Sequence, residues 1–322
     1  QCRDVLGQLF AFKNKQIENH LASIPKQVES AARALGLHIH EQPDLEQILQ
    51  QANVRLAEEN LSYQELTWQL ENTLKERDRL AAELNRELEL AREIQQSLLP
   101  GNVEPDFPIT GISVPARQLS GDFYDYFLLP DGRIYFNLAD VSGKGITAAL
   151  LMAKTSSLFH CLGKQLHNPG ELLARINEEI NETATRGMFV TMIAGLYDPQ
   201  NSHLTLVNAG HPPALLLTQD NKMRALDAQA PPLGIMPAVD FPAMDLAIPG
   251  GSLYLFSDGV TEGHIDPGKE LGMNGLLQLI AGLRNLPARE RLAAIIARFE
   301  QSSLPLRDDV TILLLEDANG KN

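Results

Sequence analysis

From Asp44 to Leu99 apolar residues recur in alternating steps of four and three, with no Gly or Pro between them. The seam runs Leu45, Leu49, Ala52, Leu56, Glu59, Tyr63, Leu66, Leu70, Thr73, Arg77, Leu80, Leu84, Glu87, Ala91, Ile94 and Leu98, and twelve of the sixteen are apolar. Spacing of about 3.5 residues kept over so many turns predicts a left-handed coiled coil, roughly 80 Å long at the α-helical rise. A lone stripe of that length would face water, so residues 44–99 are expected to form a homodimer. The alternative is one long helix laid on its own domain. Glu59, Thr73, Arg77 and Glu87 weaken the seam locally. Asp44 with Gln47 predicts a capping box at the start, and Pro100-Gly101 ends the helix. Upstream, residues 1–43 show helical spacing at Val5, Leu6, Leu9 and Phe10, broken by Pro25. They read as the helical remnant of an N-terminal regulatory region.

After Gly101 the period changes to two, and turn residues separate short β-rich runs. Strands are predicted at Ile112–Val114, Phe123–Leu129, Arg133–Ala139, Met188–Tyr197, Leu204–Asn208, Ala214–Thr218, Met244–Ile248, Ser252–Ser257 and Val310–Leu315. Helices are predicted at Ile146–Leu166, Pro169–Glu182, Gly275–Arg284 and Ala288–Gln301. Tight turns between strands point to antiparallel sheets. The helices come in adjacent pairs instead of alternating with strands, which disfavours a doubly wound parallel sheet. The expected fold is α/β, a central antiparallel β-sandwich flanked by helices, spanning residues 101–317.

Composition narrows the function classes. Of 322 residues, 44% are hydrophobic, enough for a sizeable core, and 27 basic against 41 acidic side chains give a net charge of −14. That balance argues against a nucleic-acid binder, which needs clustered Lys and Arg. Cys2 and Cys161 are too few for a disulfide framework or a zinc cluster, which fits a reducing cytoplasm. No apolar run approaches the length of a membrane span. The chain opens at Gln1 without a signal-peptide pattern, so it reads as part of a longer protein whose missing N-terminal sensor domain could tether it to a membrane.

The candidate chemistry lies in the aspartates. Asp122 and Asp125 fall at the start of a strand in Gly121-Asp-Phe-Tyr-Asp125. Asp140 ends the strand Ile-Tyr-Phe-Asn-Leu-Ala-Asp, Asp258 ends Leu-Tyr-Leu-Phe-Ser-Asp, and Asp308 with Asp309 stands just before the last strand. A carboxylate at the end of an apolar strand borders the core, where its charge needs a partner. Only Lys144 and Arg307 flank these sites, so a hard divalent cation such as Mg²⁺ or Mn²⁺ suits them. Asp beside Gly also occurs in turns for backbone reasons alone, and each site taken singly reads as such a turn.

Seven blocks in order carry a resemblance. They are Ala91-Arg-Glu-Ile-Gln-Gln-Ser-Leu-Leu-Pro100, Gly121-Asp-Phe-Tyr-Asp125, Ala139-Asp-Val-Ser-Gly-Lys-Gly145, Asn208-Ala-Gly-His-Pro-Pro213, Pro232-Leu-Gly-Ile235, Ser257-Asp-Gly-Val-Thr-Glu262 and Asp308-Asp-Val-Thr311. From Ala91 to Leu315 the chain resembles the bacterial metal-dependent protein phosphatases of the protein phosphatase 2C superfamily, in the SpoIIE/RsbU-like branch. The resemblance implies a protein serine/threonine phosphatase with two Mn²⁺ or Mg²⁺ ions per active site. Asp122 would bind one ion and Asp140 would bridge both, with the Val141 carbonyl as a further ligand. Asp258 and Asp308 would complete the shell of the other. Asp309 would stand behind the ligands, and Asp125 would either hold ion-bound water or stabilise the start of its strand. The implied substrate is a phosphorylated anti-sigma-factor antagonist of the STAS type, with regulation through the N-terminal coiled coil.

Other residues rank lower. Cys161 sits in an apolar helix with no phosphate-cradling loop, and no Cys or Ser has the base and orienting group that nucleophilic catalysis needs. His211 could act as a general acid, but its turn context favours a structural hydrogen bond. Lys144 lacks the spacing of a phosphate loop. Arg117, the nearest candidate for gripping phosphate, reads as a surface residue. His38 with His40 reads as a strand or loop pair, and Trp68 lies off the seam. Two further readings stay open: a catalytically weak or inactive coiled-coil signalling scaffold, against which the intact aspartates stand, and a two-metal phosphodiesterase acting on nucleotides.

Overall fold

Proline is suited to the first turn of a helix, where its missing N–H would have had no partner, and the first described helix, α1 (Pro43–Ser97), opens on one. The helix therefore begins at Pro43, one residue ahead of the cap expected at Asp44. A computed structural model of the chain describes residues 43–101, 107–183, 187–266, 268–302 and 304–319, with isolated helical positions before them. The expectations for residues 1–42, His38 and His40 among them, lie outside the described residues. The chain divides into two compact units, residues 1–83 and 84–322. In the first, the seam residues Tyr63, Leu66, Leu70 and Leu80 are exposed, as is Trp68.

The second unit holds two five-stranded antiparallel sheets. Antiparallel pairing builds the first from β2 (Phe123–Leu128), β3 (Ile134–Val141), β4 (Val190–Asp198), β5 (His203–Ala209) and β8 (Met244–Ala247), in that spatial order. The second runs β1 (Ile109–Val114), β12 (Val310–Glu316), β9 (Ser252–Phe256), β6 (Ala214–Leu217) and β7 (Met223–Leu226). A small ribbon pairs β10 (His264–Asp266) with β11 (Lys269–Glu270). The helices are α2 (Ile146–Gly163), α3 (Pro169–Thr183), α4 (Asp258–Glu262), α5 (Gly272–Leu283) and α6 (Ala288–Glu300).

Because strand side chains alternate, each sheet carries two apolar faces. Phe136 and Leu138 of β3 meet Leu253 and Leu255 of β9 and Leu313 and Leu315 of β12 in the core between the sheets. Tyr135, Ala139 and Val141 point the other way, against Met152 and Phe159 of α2 and Leu172 and Ile176 of α3. On the far side Tyr254, Phe256, Ile312 and Leu314 pack on α5 and α6 through Leu276, Ile280, Leu292 and Ile295. The result is a four-layer sandwich, helices–sheet–sheet–helices. No apolar run of spanning length stands out in the sequence, yet α2 has the length and mean hydropathy of a membrane span. It is a core helix of the sandwich: Met152, Ser156 and Phe159 are buried on one face, while Cys161 is exposed on another.

The predicted strands and paired helices all form, with ends shifted by a few residues. The pattern missed β7, whose Arg224 and Ala225 are exposed, the short β10–β11 ribbon, and the five-residue α4, where only a turn was expected.

Gly195 of β4 lies opposite Phe136 of β3, and a Cβ there would stand 2.3 Å from the Phe136 ring. Gly195→Ala should therefore destabilise the fold by about 1–3 kcal/mol through overpacking, read as a lower urea midpoint at unchanged slope.

Candidate metal centre

The alternation that builds the inter-sheet core also aims the acidic side chains. Tyr124 lies in that core, so Asp122, two residues earlier, points toward the same space. Asp140 follows Phe136 and Leu138 on the same face of β3, and Thr311 and Asp309 precede Leu313 and Leu315 on theirs. Asp125 has the opposite parity and faces α2, where its Oδ2 lies 2.7 Å from His160 Nδ1. The structure thus gathers Asp122, Asp140, Asp258, Asp308 and Asp309 at one end of the sandwich and sends Asp125 elsewhere, to a hydrogen bond with His160 of α2.

Two close backbone approaches bring the loops together. Gly259, one residue after Asp258, lies against the loop ahead of β12: a Cβ on it would stand 2.0 Å from the Asp309 carbonyl oxygen. Only glycine lets α4 begin so near that loop, which puts Asp258 beside Asp308. Gly121 does the same on the other sheet, where a Cβ would lie 3.3 Å from the Val141 carbonyl oxygen and 3.7 Å from Asp140 Oδ1. The missing side chain leaves a cradle next to the Val141 carbonyl and Asp140.

Asp309 is a fastener. Its Oδ1 accepts the Ala116 N–H at 2.7 Å, and its Oδ2 accepts the Ser120 hydroxyl and the Gly121 N–H, both at 2.8 Å. It pins the loop that leads into Asp122. Gln95, near the end of α1, holds the same loop: its Nε2 donates to the Ser120 carbonyl at 2.8 Å and its Oε1 accepts the Ser120 N–H at 2.9 Å. No sequence signal separated Gln95 from its neighbours on the helix. Lys144 donates to Asp308 Oδ2 at 2.8 Å. Arg117 and Arg307 line a cavity with Asp140, Lys144 and Asp308, so Arg117 is a surface residue that also borders the site. His211 is buried, its Nε2 facing the Phe256 carbonyl at 3.1 Å and its Nδ1 facing Thr191 Oγ1 at 2.8 Å. It ties β9 to β4, and burial pushes its pKa down to about 3, which suits a neutral structural ring and not a proton donor.

The electrostatics of the cluster are unfavourable as the side chains stand. Burial, then the charge of Asp258, pushes the Asp140 carboxyl up to about 7, with Asp308 and Asp309 adding to the rise and the Asp122 hydrogen bond opposing it. Burial and the Asp140 charge hold Asp122 well above the carboxylate range, although the Ser257 and Thr311 hydroxyls favour its ionised form. Asp258 is raised by burial and by Asp308. Asp122 Oδ2 is sealed from solvent and has no hydrogen-bond partner. Among the described residues no three His, Cys, Asp or Glu side chains close into a finished cage around one point. Hard divalent ions keep several of their own waters, so a closed cage of protein oxygens is not required. The orphaned oxygen, the mutual repulsion and the Gly121 cradle fit hard divalent cations.

A helix-flanked pair of antiparallel sheets with this acidic edge defines a phosphatase of the protein phosphatase 2C type. Solved structures share the fold: the SiaA-PP2C domain of Pseudomonas aeruginosa superposes with a TM-score of 0.65 at 18% identity over 73% of this chain and 97% of that one. The phosphatase domain of SpoIIE from Bacillus subtilis gives 0.53 at 19% identity over 65% and 63%. The family model for stage II sporulation protein E matches residues 130–316. Phosphoserine phosphatase RsbU of Bacillus subtilis is 34% identical over 238 residues, 72% of this chain and 70% of its own length. Protein IcfG of Synechocystis is 31% identical, and the chain spans 38% of its length. The chain belongs to the SpoIIE family and is a protein serine/threonine phosphatase of its RsbU-like branch.

The raised carboxyls fix a pH dependence for the metal-free protein. A carboxyl with a folded pKa above its unfolded value binds more protons folded than unfolded between the two, so stability falls as pH rises through that window. With Asp140 near 7 against an ordinary 3.8, chelator-treated protein should melt at least about 3 °C lower at pH 8 than at pH 5.5. Millimolar Mn²⁺ should shrink or reverse the gap, as differential scanning fluorimetry across pH would show.

Proposed function

We propose that this phosphatase removes phosphate from a phosphoserine or phosphothreonine of an anti-sigma-factor antagonist of the STAS type, under control of an N-terminal coiled coil. The observation that carries the hydrolytic reading is the buried, partnerless Asp122 oxygen within a group of mutually repelling aspartates. Asp122, Asp140 and the Val141 carbonyl would hold one ion; Asp140, Asp258 and Asp308 would hold the other. Mn²⁺ and Mg²⁺ both suit this all-oxygen donor set, and a structural relative, RsbX, was solved with magnesium. When bound, a pair of such ions supplies an activated water at neutral pH and neutralises a phosphate monoester under attack. The chain's own groups prepare that chemistry. Asp309 and Gln95 keep the Asp122 loop in place, Gly259 keeps Asp258 against Asp308, and Arg117 and Arg307 put positive charge on the rim where a phosphate would arrive.

The substrate class rests on likeness to RsbU and to phosphoserine phosphatase RsbP, 32% identical over 184 residues. Regulation through α1 has a physical route in the Gln95–Ser120 pairing, because Ser120 also bonds Asp309 and the Asp122 backbone. A shift of the helix end would move the loop that carries Asp122. Residues 44–99 would dimerise through the exposed seam and pass on a signal from a sensor domain.

With Mn²⁺ and a phosphoserine STAS protein, the chain should release inorganic phosphate, and chelator should abolish release. Asp140→Ala should lower the rate at least about 100-fold while cyclic dinucleotides stay intact throughout. Phosphate release unchanged by Asp140→Ala would overturn the assignment. For the regulatory role, residues 1–322 and 91–322 should differ in mass by sedimentation, dimer against monomer, and in Mn²⁺-dependent rate. Equal rates and equal metal affinity would remove α1 from control.

A further inference from the structure

Lys144 stands between Gly143 and Gly145, which adopt φ of 93° and 84° and have open space where side chains would project. Its ammonium donates to Asp308 Oδ2 at 2.8 Å and to the Arg307 carbonyl at 3.0 Å. It thereby joins the loop after β3 to the loop before β12, across the cavity that Asp140 also lines. The other Asp308 oxygen, Oδ1, accepts the Asp309 N–H at 3.0 Å, so an ion approaching that carboxylate competes with donors on both oxygens and its charge repels the ammonium.

We propose that Lys144 is a tethered counter-ion for the metal centre, neutralising Asp308 while the centre lacks metal and yielding that carboxylate when an ion binds. The proposal rests on the metal-centre reading above and adds a competitor built into the chain. Both partners are partly exposed, 43% for the Lys144 side chain and 45% for Asp308, so the pair is weak enough to open under ordinary metal concentrations. A flexible four-carbon stem flanked by two glycines lets the ammonium swing aside without moving β3. Lys144 is thus a positioning residue. It keeps Asp308 folded toward the site when nothing else attracts it, and it sets the concentration at which the ion bound through Asp308 enters.

The test is isothermal titration of the metal-free 322-residue chain with MnCl₂, comparing the parent with Lys144→Gln and Lys144→Arg, and melting of each in chelator. Removal of the competitor should tighten binding at the Asp308 side about twofold to fivefold, the range of an exposed ion pair, while lowering the melting temperature in chelator. Lys144→Arg keeps the charge and should follow the parent, and the gap between Lys144→Gln and parent should narrow as KCl screens the pair. A purely structural lysine would give the opposite sign, weaker metal binding on removal. Unchanged or weaker binding in Lys144→Gln, with the parent still binding Mn²⁺, overturns the counter-ion role alone. A parent chain that takes up no Mn²⁺ overturns the metal centre and this proposal with it.

Discussion

Like charges brought together at the edge of an apolar core repel, and the whole catalytic unit is organised around tolerating that repulsion. Asp122, Asp140 and Asp258 all carry raised pKa values because burial and one another's fields disfavour their ionised forms. Folding alone would select hydrogen-bonding or apolar side chains at these strand ends. Their presence makes sense when divalent cations are part of the working protein, since an ion turns mutual repulsion into shared attraction.

Around that charged edge the structure places groups whose work is geometric. Asp309 spends both carboxylate oxygens on the backbone and hydroxyl of a single loop. Gln95 reproduces a backbone-like double hydrogen bond with Ser120. Glycines at 121 and 259 remove the one atom that would hold the loops apart. Side chains in such roles decide where the ligands of the site can stand, as outer-shell partners of metal ligands do.

Much of this was legible in the sequence. Two-residue periodicity located the main strands, and adjacent helix pairs argued against a doubly wound parallel sheet. Acidic residues directly after apolar strands mark the charged edge in the sequence itself. Strand parity, applied consistently, also separates Asp122 and Asp140 from Asp125, although the reading of the sequence left Asp125 undecided because motif proximity hid the difference in facing. Gln95, the Lys144–Asp308 pair and the seating of Gly259 were out of reach. Each depends on contacts between residues dozens to more than a hundred positions apart, and local periodicity carries no information about them. Short elements with mixed patterns, β7 and the β10–β11 ribbon, were lost for a related reason: tertiary pairing and not local preference makes them strands.

β12 comes last among the described strands, yet it lies inside its sheet between β1 and β9, and the loop just ahead of it brings Asp308 and Asp309. During synthesis β1 therefore has no neighbour linking it to β9 until the segment carrying β12 arrives. Closing such a distant pairing is entropically expensive and slow compared with local hairpins. A phosphatase unit cut short before residue 308 would lack both the strand that joins β1 to β9 and the acidic pair that precedes it.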